Sequence, residues 1–252
     1  MRQLSEMAQI RNVIFDWSGT LVDDLSAVWR STNFTLENVG RPAMSLKQFR
    51  AEFSLPFDVF YKRVTPGVAL EELEAWYKES FEEEQKEVEP LSHALEFYGF
   101  CKSQQLRTFL LSTIHPDHYR AQSSRIHFDF DRTYLRVMDK RKKIDNILSE
   151  NNLEPHETVF IGDMRHDVDA AHAGGIHSCA VLSGYNTLSQ LQESRPELIV
   201  EHLGELKSIL IQNRLEWPAD SNLCTRRPVS TVGALIYNDK DQVLLVRTRK
   251  WS

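Results

Sequence analysis

The sequence predicts an α/β protein with a doubly wound parallel sheet and an inserted α-helical cap. Short apolar runs alternate with helix-length amphipathic segments, and polar residues follow several of these runs directly. One long stretch early in the chain instead has helical patterns and no convincing buried strand. Because ligands bind beyond the carboxyl ends of the strands in such sheets, we expect the functional residues at one edge of the sheet.

The first strand is predicted at residues 13–15, an apolar run that ends at Asp16 and precedes a Gly-bearing turn at 18–20. The segments between the apolar runs have the length and pattern of amphipathic helices, as Ile144 and Ile147 illustrate. Strands that alternate with helices in this way are typical of a parallel sheet. Comparable apolar runs occur at 109–111, 159–161 and 179–182.

The chain is predicted to contain an interrupted core, a cap and a separate tail. Residues 24–90 have helical patterns and are assigned to the cap, which divides a core of residues 1–23 and 91–212. The polar, Pro-containing stretch 213–228 indicates a linker. Residues 229–252 predict a strand, a turn and a second strand, a hairpin that would belong to another unit.

Length and composition exclude several classes of protein. The 252 residues allow one large core with a small accessory domain. A net charge of −6 argues against a nucleic-acid partner but permits a locally positive phosphate site. No apolar run approaches the roughly 18 residues that span a bilayer, and the N-terminus lacks the apolar core of a signal peptide. Because the 3 cysteines lie far apart, we expect free thiols and a cytoplasmic protein with no membrane partner.

Asp16 is the candidate nucleophile for phosphoryl transfer, because it follows an apolar strand and precedes Gly19. At a glycine the backbone can approach an anion closely and direct N–H groups towards it. Ser112 and Thr113, at the end of a second predicted strand, can supply a hydroxyl and an N–H group to the same phosphate. These four residues are therefore predicted to form the substrate pocket.

Asp163 and Asp167 lie four residues apart at the predicted start of a helix, which suits a hard divalent cation that keeps several waters. A positive side chain is also needed to balance the charge that develops on the phosphoryl group. It should come from the basic run 140–143, most of which we expect to be solvated. Lys140 is favoured because it precedes the first apolar helix position by four residues, and Lys143 is the alternative.

In chain order these motifs are Asp-x-x-Gly-Thr, Ser/Thr, Lys and Gly-Asp-x-x-x-Asp, and together they resemble the haloacid dehalogenase (HAD) superfamily. The resemblance covers residues 11 to about 210 and is to the phosphoglycolate-phosphatase-like branch with a helical cap. It implies a HAD-like Rossmannoid core and a Mg²⁺-dependent hydrolase. We interpret the protein as a phosphatase of small phosphorylated metabolites, with its oligomeric state left open.

The resemblance also implies roles for the motif residues. Asp16 would form an aspartyl-phosphate, and Asp16, the Ser18 carbonyl and Asp163 would bind Mg²⁺. Asp167 would either reach the metal or lie just behind its ligands. Lys140 would steady Asp16 and the phosphoryl group.

Ser18 departs from the pattern of the family's phosphatases, which usually carry Asp at this position as general acid and base. The pKa of a serine hydroxyl is too high for it to replace a carboxylic acid near neutral pH. His115 lies three residues beyond Ser112, the residue that the resemblance assigns to phosphate binding. His115 is therefore a candidate proton donor in place of the missing Asp.

Two alternative functions stay open at this point. Residues 16–20 resemble the start of phosphonoacetaldehyde hydrolases, which cleave a C–P bond with a Schiff-base lysine from the cap. Lys47 and Lys62 are the nearest candidates for that lysine. The second alternative is a catalytically weak phosphate-binding regulatory module, which the missing acid favours and the otherwise complete set of motifs opposes.

The tail has a resemblance of its own. Residues 227–249 are similar to the opening hairpin of a Nudix hydrolase domain over about 25 residues. The Glu-rich Nudix box that binds metal does not follow, so we expect no Nudix activity. We interpret 229–252 as the N-terminal hairpin of a truncated Nudix-like domain, either a fragment of a HAD–Nudix fusion or a natural remnant.

Overall fold

A computed structural model describes residues 9–218, 236–237 and 243–244 of the chain. Its strands are β1 (Asn12–Phe15), β2 (Val22–Asp23), β3 (Glu89–Pro90), β4 (Arg107–Leu111), β5 (Arg132–Tyr134), β6 (Thr158–Gly162), β7 (His177–Val181), β8 (Leu198–Val200), β9 (Ile236–Tyr237) and β10 (Val243–Leu244). Its α-helices are α1 (Leu25–Asn38), α2 (Leu46–Glu52), α3 (Phe57–Val64), α4 (Leu70–Glu84), α5 (Ala94–Ser103), α6 (Pro116–Ser123), α7 (Lys140–Asn151), α8 (Arg165–Ala173), α9 (Leu188–Glu193) and α10 (Leu203–Gln212). Short 3₁₀ helices occupy Gln85–Glu87 and Pro155–Glu157.

Six of the described strands form one sheet in the order β5-β4-β1-β6-β7-β8. Every neighbouring pair in this sheet is parallel. The first strand of the chain therefore lies inside the sheet, between strands that come much later in the sequence. This arrangement confirms the predicted α/β class with a doubly wound parallel sheet.

Successive side chains of each strand point to opposite faces of the sheet, and both faces are buried by helices. Val13 and Phe15 pack on one face with residues of α5 and α10, while Ile14 packs on the other with residues of α7 and α8. The strands therefore consist of continuous apolar runs rather than alternating polar and apolar residues. Among the described helices, none is both long and apolar enough to cross a membrane.

Helices α1 to α4 lie between β2 and β3, which pair as a short antiparallel ribbon. The ribbon holds together the two points at which the chain leaves and re-enters the core. Helix α1 packs on α4, with the rings of Phe34 and Trp76 6.3 Å apart and an ion pair between Arg30 and Glu84. These helices fall within residues 24–90, the range that the sequence assigns to the cap.

Packing against the core continues beyond residue 212. The Ile10 backbone N–H donates to the Leu215 carbonyl at 2.8 Å, and Trp217 is buried with its ring 5.1 Å from that of His177. The start of the predicted linker 213–228 thus lies on the core. Strands β9 and β10 pair antiparallel, but the other residues of 219–252, with most of the linker and hairpin, lie outside the described residues. The Nudix resemblance stays a prediction.

Candidate active site

Asp16 follows β1 directly and is only 4% exposed. Its backbone N–H donates to the Ile161 carbonyl at 2.9 Å, which extends the pairing of β1 with β6 past the strand end. In the sheet register Phe15 lies opposite both Leu110 and Ile161. The residues that follow β1, β4 and β6 therefore meet at one edge of the sheet.

Three buried carboxylates cluster at this edge. Asp16, Asp163 and Asp167 each offer one oxygen, and these oxygens all lie within 4.8 Å of one another. Asp163 follows β6, whereas Asp167 lies in the first turn of α8, where it accepts the Met164 backbone N–H at 3.0 Å. Gly162 makes this approach possible, because a Cβ at that position would overlap the Asp167 side chain.

Lys140, the first residue of α7, is fully buried and points into this cluster. Its Nζ lies 2.9 Å from Asp16 Oδ1 and 2.6 Å from Asp167 Oδ1. Lys143 is partly exposed, and its Nζ lies 3.2 Å from Glu150 Oε1. The structure thus places Lys140, and not Lys143, beside Asp16, because the buried face of α7 includes its first residue.

The cluster carries more negative than positive charge. Three carboxylates and one ammonium sum to −2 when all are ionised. Burial raises the pKa of Asp16 despite the opposing effect of Lys140, and burial together with the neighbouring carboxylates raises the pKa of Asp163 well above its ordinary value. Burial alone would lower the pKa of Lys140, but Asp16 and Asp167 outweigh it and raise that pKa.

These residues fit a divalent cation in their chemistry. Hard cations such as Mg²⁺ prefer oxygen ligands, and three carboxylates offer them here. The buried Asp16 Oδ1 touches Lys140 as an ion pair but has no hydrogen-bond partner of good geometry. A +2 charge in contact with Asp16 and Asp163 would balance the excess charge and lower their pKa values, because a nearby cation favours the ionised carboxylate.

The turn after Asp16 wraps around Asp163. Gly19 has a φ of 69°, and a Cβ there would collide with the Asp163 carboxylate, so this position requires glycine for two reasons. The Thr20 hydroxyl donates to Asp163 Oδ1 at 3.3 Å, and the Ser183 hydroxyl donates to the Gly19 carbonyl at 2.8 Å. The Gly-bearing turn therefore orients a carboxylate, whereas the Gly19 N–H is used within the turn and donates to the Val22 carbonyl at 2.9 Å.

Asp24 is a buried carboxyl that the sequence pattern did not mark. The hydroxyl of Tyr185 donates to Asp24 Oδ1 at 3.0 Å, and the Ser18 hydroxyl lies near this carboxylate. Burial raises the pKa of Asp24 to about 7 although both hydroxyls act to lower it. Ser18, where the family's phosphatases usually carry Asp, thus lies near a buried carboxyl group.

The residues after β4 occupy the same edge of the sheet with different exposure. Ser112 is buried, and its Oγ accepts the Ile114 backbone N–H at 3.3 Å. Thr113 is half-buried and follows it directly. His115 is half-exposed and caps α6, since its Nδ1 accepts the Asp117 backbone N–H at 3.2 Å. The contacts of His115 therefore run along α6.

Two other residues of the site have no signal in the sequence. The backbone N–H of Tyr185 donates to Asp163 Oδ2 at 2.6 Å, although Tyr185 belongs to the loop after β7. His166 Nε2 accepts the Lys140 backbone N–H at 3.4 Å. Burial lowers the pKa of His166 to about 4, which keeps the ring neutral near pH 7.

The comparisons with known proteins agree with this geometry. The family model of haloacid dehalogenase-like hydrolases matches residues 13–181. Phosphoglycolate phosphatase 1 of Pseudomonas aeruginosa is 24% identical over 214 residues, covering 78% of this chain and 78% of the relative. A 5'-nucleotidase of the same species is 23% identical over 213 residues, covering 79% of this chain and 95% of that relative. The crystal structure of a predicted phosphatase from Clostridium acetobutylicum shares the fold with a TM-score of 0.73 at 17% identity, covering 81% of this chain and all of that one.

Lys140 and Lys143 of α7 make a matched pair for testing the charge cluster. Lys140→Met removes the buried ammonium and leaves carboxylates without their partner, so we expect the metal-free protein at pH 8 to lose about 3–5 kcal/mol of unfolding free energy. Lys143→Met breaks a partly exposed ion pair and should cost less than about 1 kcal/mol. Urea unfolding in the presence of a chelator measures both values. Similar losses for the two variants would contradict the placement of Lys140.

Proposed function

Since the chain belongs to the haloacid dehalogenase-like hydrolase family, we propose that it is a Mg²⁺-dependent phosphatase of a small phosphorylated metabolite. One observation carries the proposal: Asp16 is buried against the Lys140 ammonium at 2.9 Å and clustered with two further carboxylates. A relative that covers 78% of the chain is a phosphoglycolate phosphatase, which supports a small phosphorylated substrate.

Asp16, the backbone carbonyl of Ser18 and Asp163 are the proposed metal-holding groups. Bound there, Mg²⁺ would offset negative charge on the site and on a phosphate oxygen. Asp167 has both oxygens engaged, one by Lys140 Nζ and the other by the Met164 backbone N–H. These bonds favour a role for Asp167 in orienting Lys140 over direct contact with the metal.

The proposed reaction has two displacements at phosphorus. An Asp16 carboxylate oxygen attacks phosphorus as the P–O bond to the leaving alcohol breaks, which forms an aspartyl-phosphate. Water then attacks the same phosphorus, which releases inorganic phosphate and restores Asp16. Lys140 stabilises the ionised Asp16 and the phosphoryl oxygens, while Ser112, Thr113 and the turn at Gly19 bind the phosphate.

Burial of the site indicates how substrate reaches it. Asp16 is 4% exposed and Lys140 is fully buried, so part of the structure must move before substrate reaches them. We assign residues 24–90 to a cap that performs this movement over a core of 1–23 and 91–212. A site that closes so completely favours a small molecule over a macromolecular substrate.

C–P bond hydrolysis finds less support. That reaction requires a cap lysine that forms a Schiff base with the substrate. Within residues 24–90, all of which are described, the lysines at 47, 62, 78 and 86 are exposed. Lys62 also pairs with Asp58 at 2.9 Å on the surface. Phosphate-ester hydrolysis requires none of these lysines and is therefore the preferred function.

Phosphate release from 2-phosphoglycolate, nucleotides and p-nitrophenyl phosphate tests the proposed function. Asp16→Asn should lower turnover by about three orders of magnitude or more, because a carboxamide is a poor nucleophile and a weaker metal ligand. Asp145→Asn, on the exposed side of α7, is the control. Chelation should stop wild-type turnover, and Mg²⁺ should restore it. Full activity of purified Asp16→Asn, or turnover that ignores chelation, would overturn the assignment.

The serine at position 18 predicts a steep dependence of rate on leaving-group pKa. Without a carboxylic acid at this position the departing oxygen receives little help from a proton, so aryl phosphates should react far faster than alkyl phosphates. The structure suggests how to install the acid, because Ser18→Asp alone would place two carboxyl groups in contact. The double variant Ser18→Asp with Asp24→Ser avoids that contact and, at saturating Mg²⁺, should raise alkyl-phosphate turnover by about 10²–10⁴-fold.

His115→Ala tests whether His115 already supplies the proton that the leaving oxygen needs, in place of an acid at position 18. If His115 already supplies the proton, its removal should slow alkyl-phosphate hydrolysis by a similar factor and the double variant should gain little. Two versions are thus tested: no proton donor, and His115 as the donor. Both are contradicted if the wild type hydrolyses alkyl and aryl phosphates equally fast and neither His115→Ala nor the double variant changes its rate. Initial rates on a matched series of alkyl and aryl phosphates make the distinction.

A further inference from the structure

The loop between β7 and α9, residues 183–186, contacts three parts of the molecule at once. We call it the Tyr185 loop. It touches a carboxylate of the candidate metal site, the first residue before helix α1, and helix α2 of the proposed cap. Tyr185 itself is 4% exposed, so these contacts are shielded from water.

On the core side, the loop holds Asp163 from two directions. The Tyr185 backbone N–H donates to Asp163 Oδ2 at 2.6 Å, a short bond of the charge-assisted kind. Gly184 lies so close to Asp163 that a Cβ at this position would overlap the carboxylate. The Ser183 hydroxyl fixes the loop to the Gly19 carbonyl at 2.8 Å. The position of the loop therefore determines the orientation of Asp163.

On the cap side, Arg50 of α2 holds the same loop. Its Nε donates to the Tyr185 carbonyl at 3.1 Å, and its terminal nitrogen donates to the Asn186 carbonyl at 3.3 Å. The rings of Phe53 and Phe49 lie 5.3 Å and 6.3 Å from the Tyr185 ring. The backbone of Tyr185 therefore bonds in two directions. Its N–H donates to the core carboxylate of Asp163, and its C=O accepts from Arg50 of the proposed cap.

The Tyr185 hydroxyl provides a third attachment, at the base of the cap. It donates to Asp24 Oδ1 at 3.0 Å, and the Asp24 carbonyl accepts the Val28 backbone N–H at 2.9 Å in the first turn of α1. Backbone, ring and hydroxyl of one residue therefore connect Asp163 to the start of α1 and to α2. Movement of those helices would remove the Arg50 bonds and the aromatic contacts together.

We propose that Tyr185 is a positioning residue that couples closure of the cap to the orientation of Asp163, so that the site binds its divalent cation more tightly when the cap is closed. The proposal rests on the metal assignment made for the proposed function. With the cap displaced, the Tyr185 loop loses its cap-side contacts and its N–H no longer fixes Asp163. By thermodynamic reciprocity, bound metal then favours the closed cap by the same factor.

Helix α2 offers a matched pair of variants. Arg50→Gln removes the guanidinium that holds the loop, whereas Lys47→Gln changes an exposed residue of the same helix. Calorimetric titration with Mg²⁺ should show affinity weakened about 5-fold or more for Arg50→Gln, the usual lower range of allosteric coupling, and unchanged for Lys47→Gln. Tyr185→Phe, which loses only the hydroxyl bond to Asp24, should weaken affinity in the same direction. Turnover at saturating Mg²⁺ should fall less than turnover at low Mg²⁺.

Hydrogen exchange read by mass spectrometry tests the reciprocal effect. In the wild type, Mg²⁺ should slow exchange in peptides from both the Tyr185 loop and α2, and Arg50→Gln should lose the effect in α2. Equal Mg²⁺ affinity in wild type and Arg50→Gln, or protection of the loop without protection of α2, would overturn the coupling. A wild type that binds no Mg²⁺ would instead overturn the metal assignment. If Arg50→Gln fails to fold, Arg50→Lys keeps the charge and should give a smaller weakening.

Discussion

Burying Asp16, Asp163 and Asp167 around the single ammonium of Lys140 costs free energy that neighbouring groups must offset. The surrounding structure supplies donors from every side. Backbone N–H groups, a threonine hydroxyl and the first turn of α8 all point at these carboxylates. The offset remains incomplete, as the raised pKa values of Asp16 and Asp163 indicate. A divalent cation, as in the proposed function, would complete it.

The same donors connect the site to the helices that cover it. Tyr185 bonds to Asp163 in the charge cluster and also to Arg50 and Asp24. The orientation of Asp163 is therefore linked to the position of the proposed cap. The proposed transfer of the phosphoryl group to Asp16 would benefit from this connection, because a closed site excludes bulk water during that step and strengthens the electrostatic interactions within it. An open cap, by contrast, would admit substrate to a site that holds its metal less firmly.

The fold could be predicted from the sequence because each strand is a short local pattern, and the placement of Lys140 could be predicted from its phase in α7. The contacts of Tyr185 could not be predicted in this way. Its hydroxyl meets Asp24 across 161 residues of sequence, and only the folded sheet brings them together. His166 and Asp24 likewise belong to patterns that suit any surface helix or turn. Sequence therefore marked the groups that are proposed to react and missed several of those that orient them.

Thermal unfolding of wild type and Asp163→Asn, with chelator and with Mg²⁺, tests the central claim about buried charge. Asparagine can keep both bonds by accepting the Tyr185 N–H and donating to the Thr20 hydroxyl, so the change removes mainly charge. In chelator at pH 8 the variant should melt above wild type. Mg²⁺ at about 100 times its Kd should stabilise wild type by about 2.7 kcal/mol and the variant far less. A wild type indifferent to Mg²⁺, with a variant that melts lower in chelator, would contradict the account.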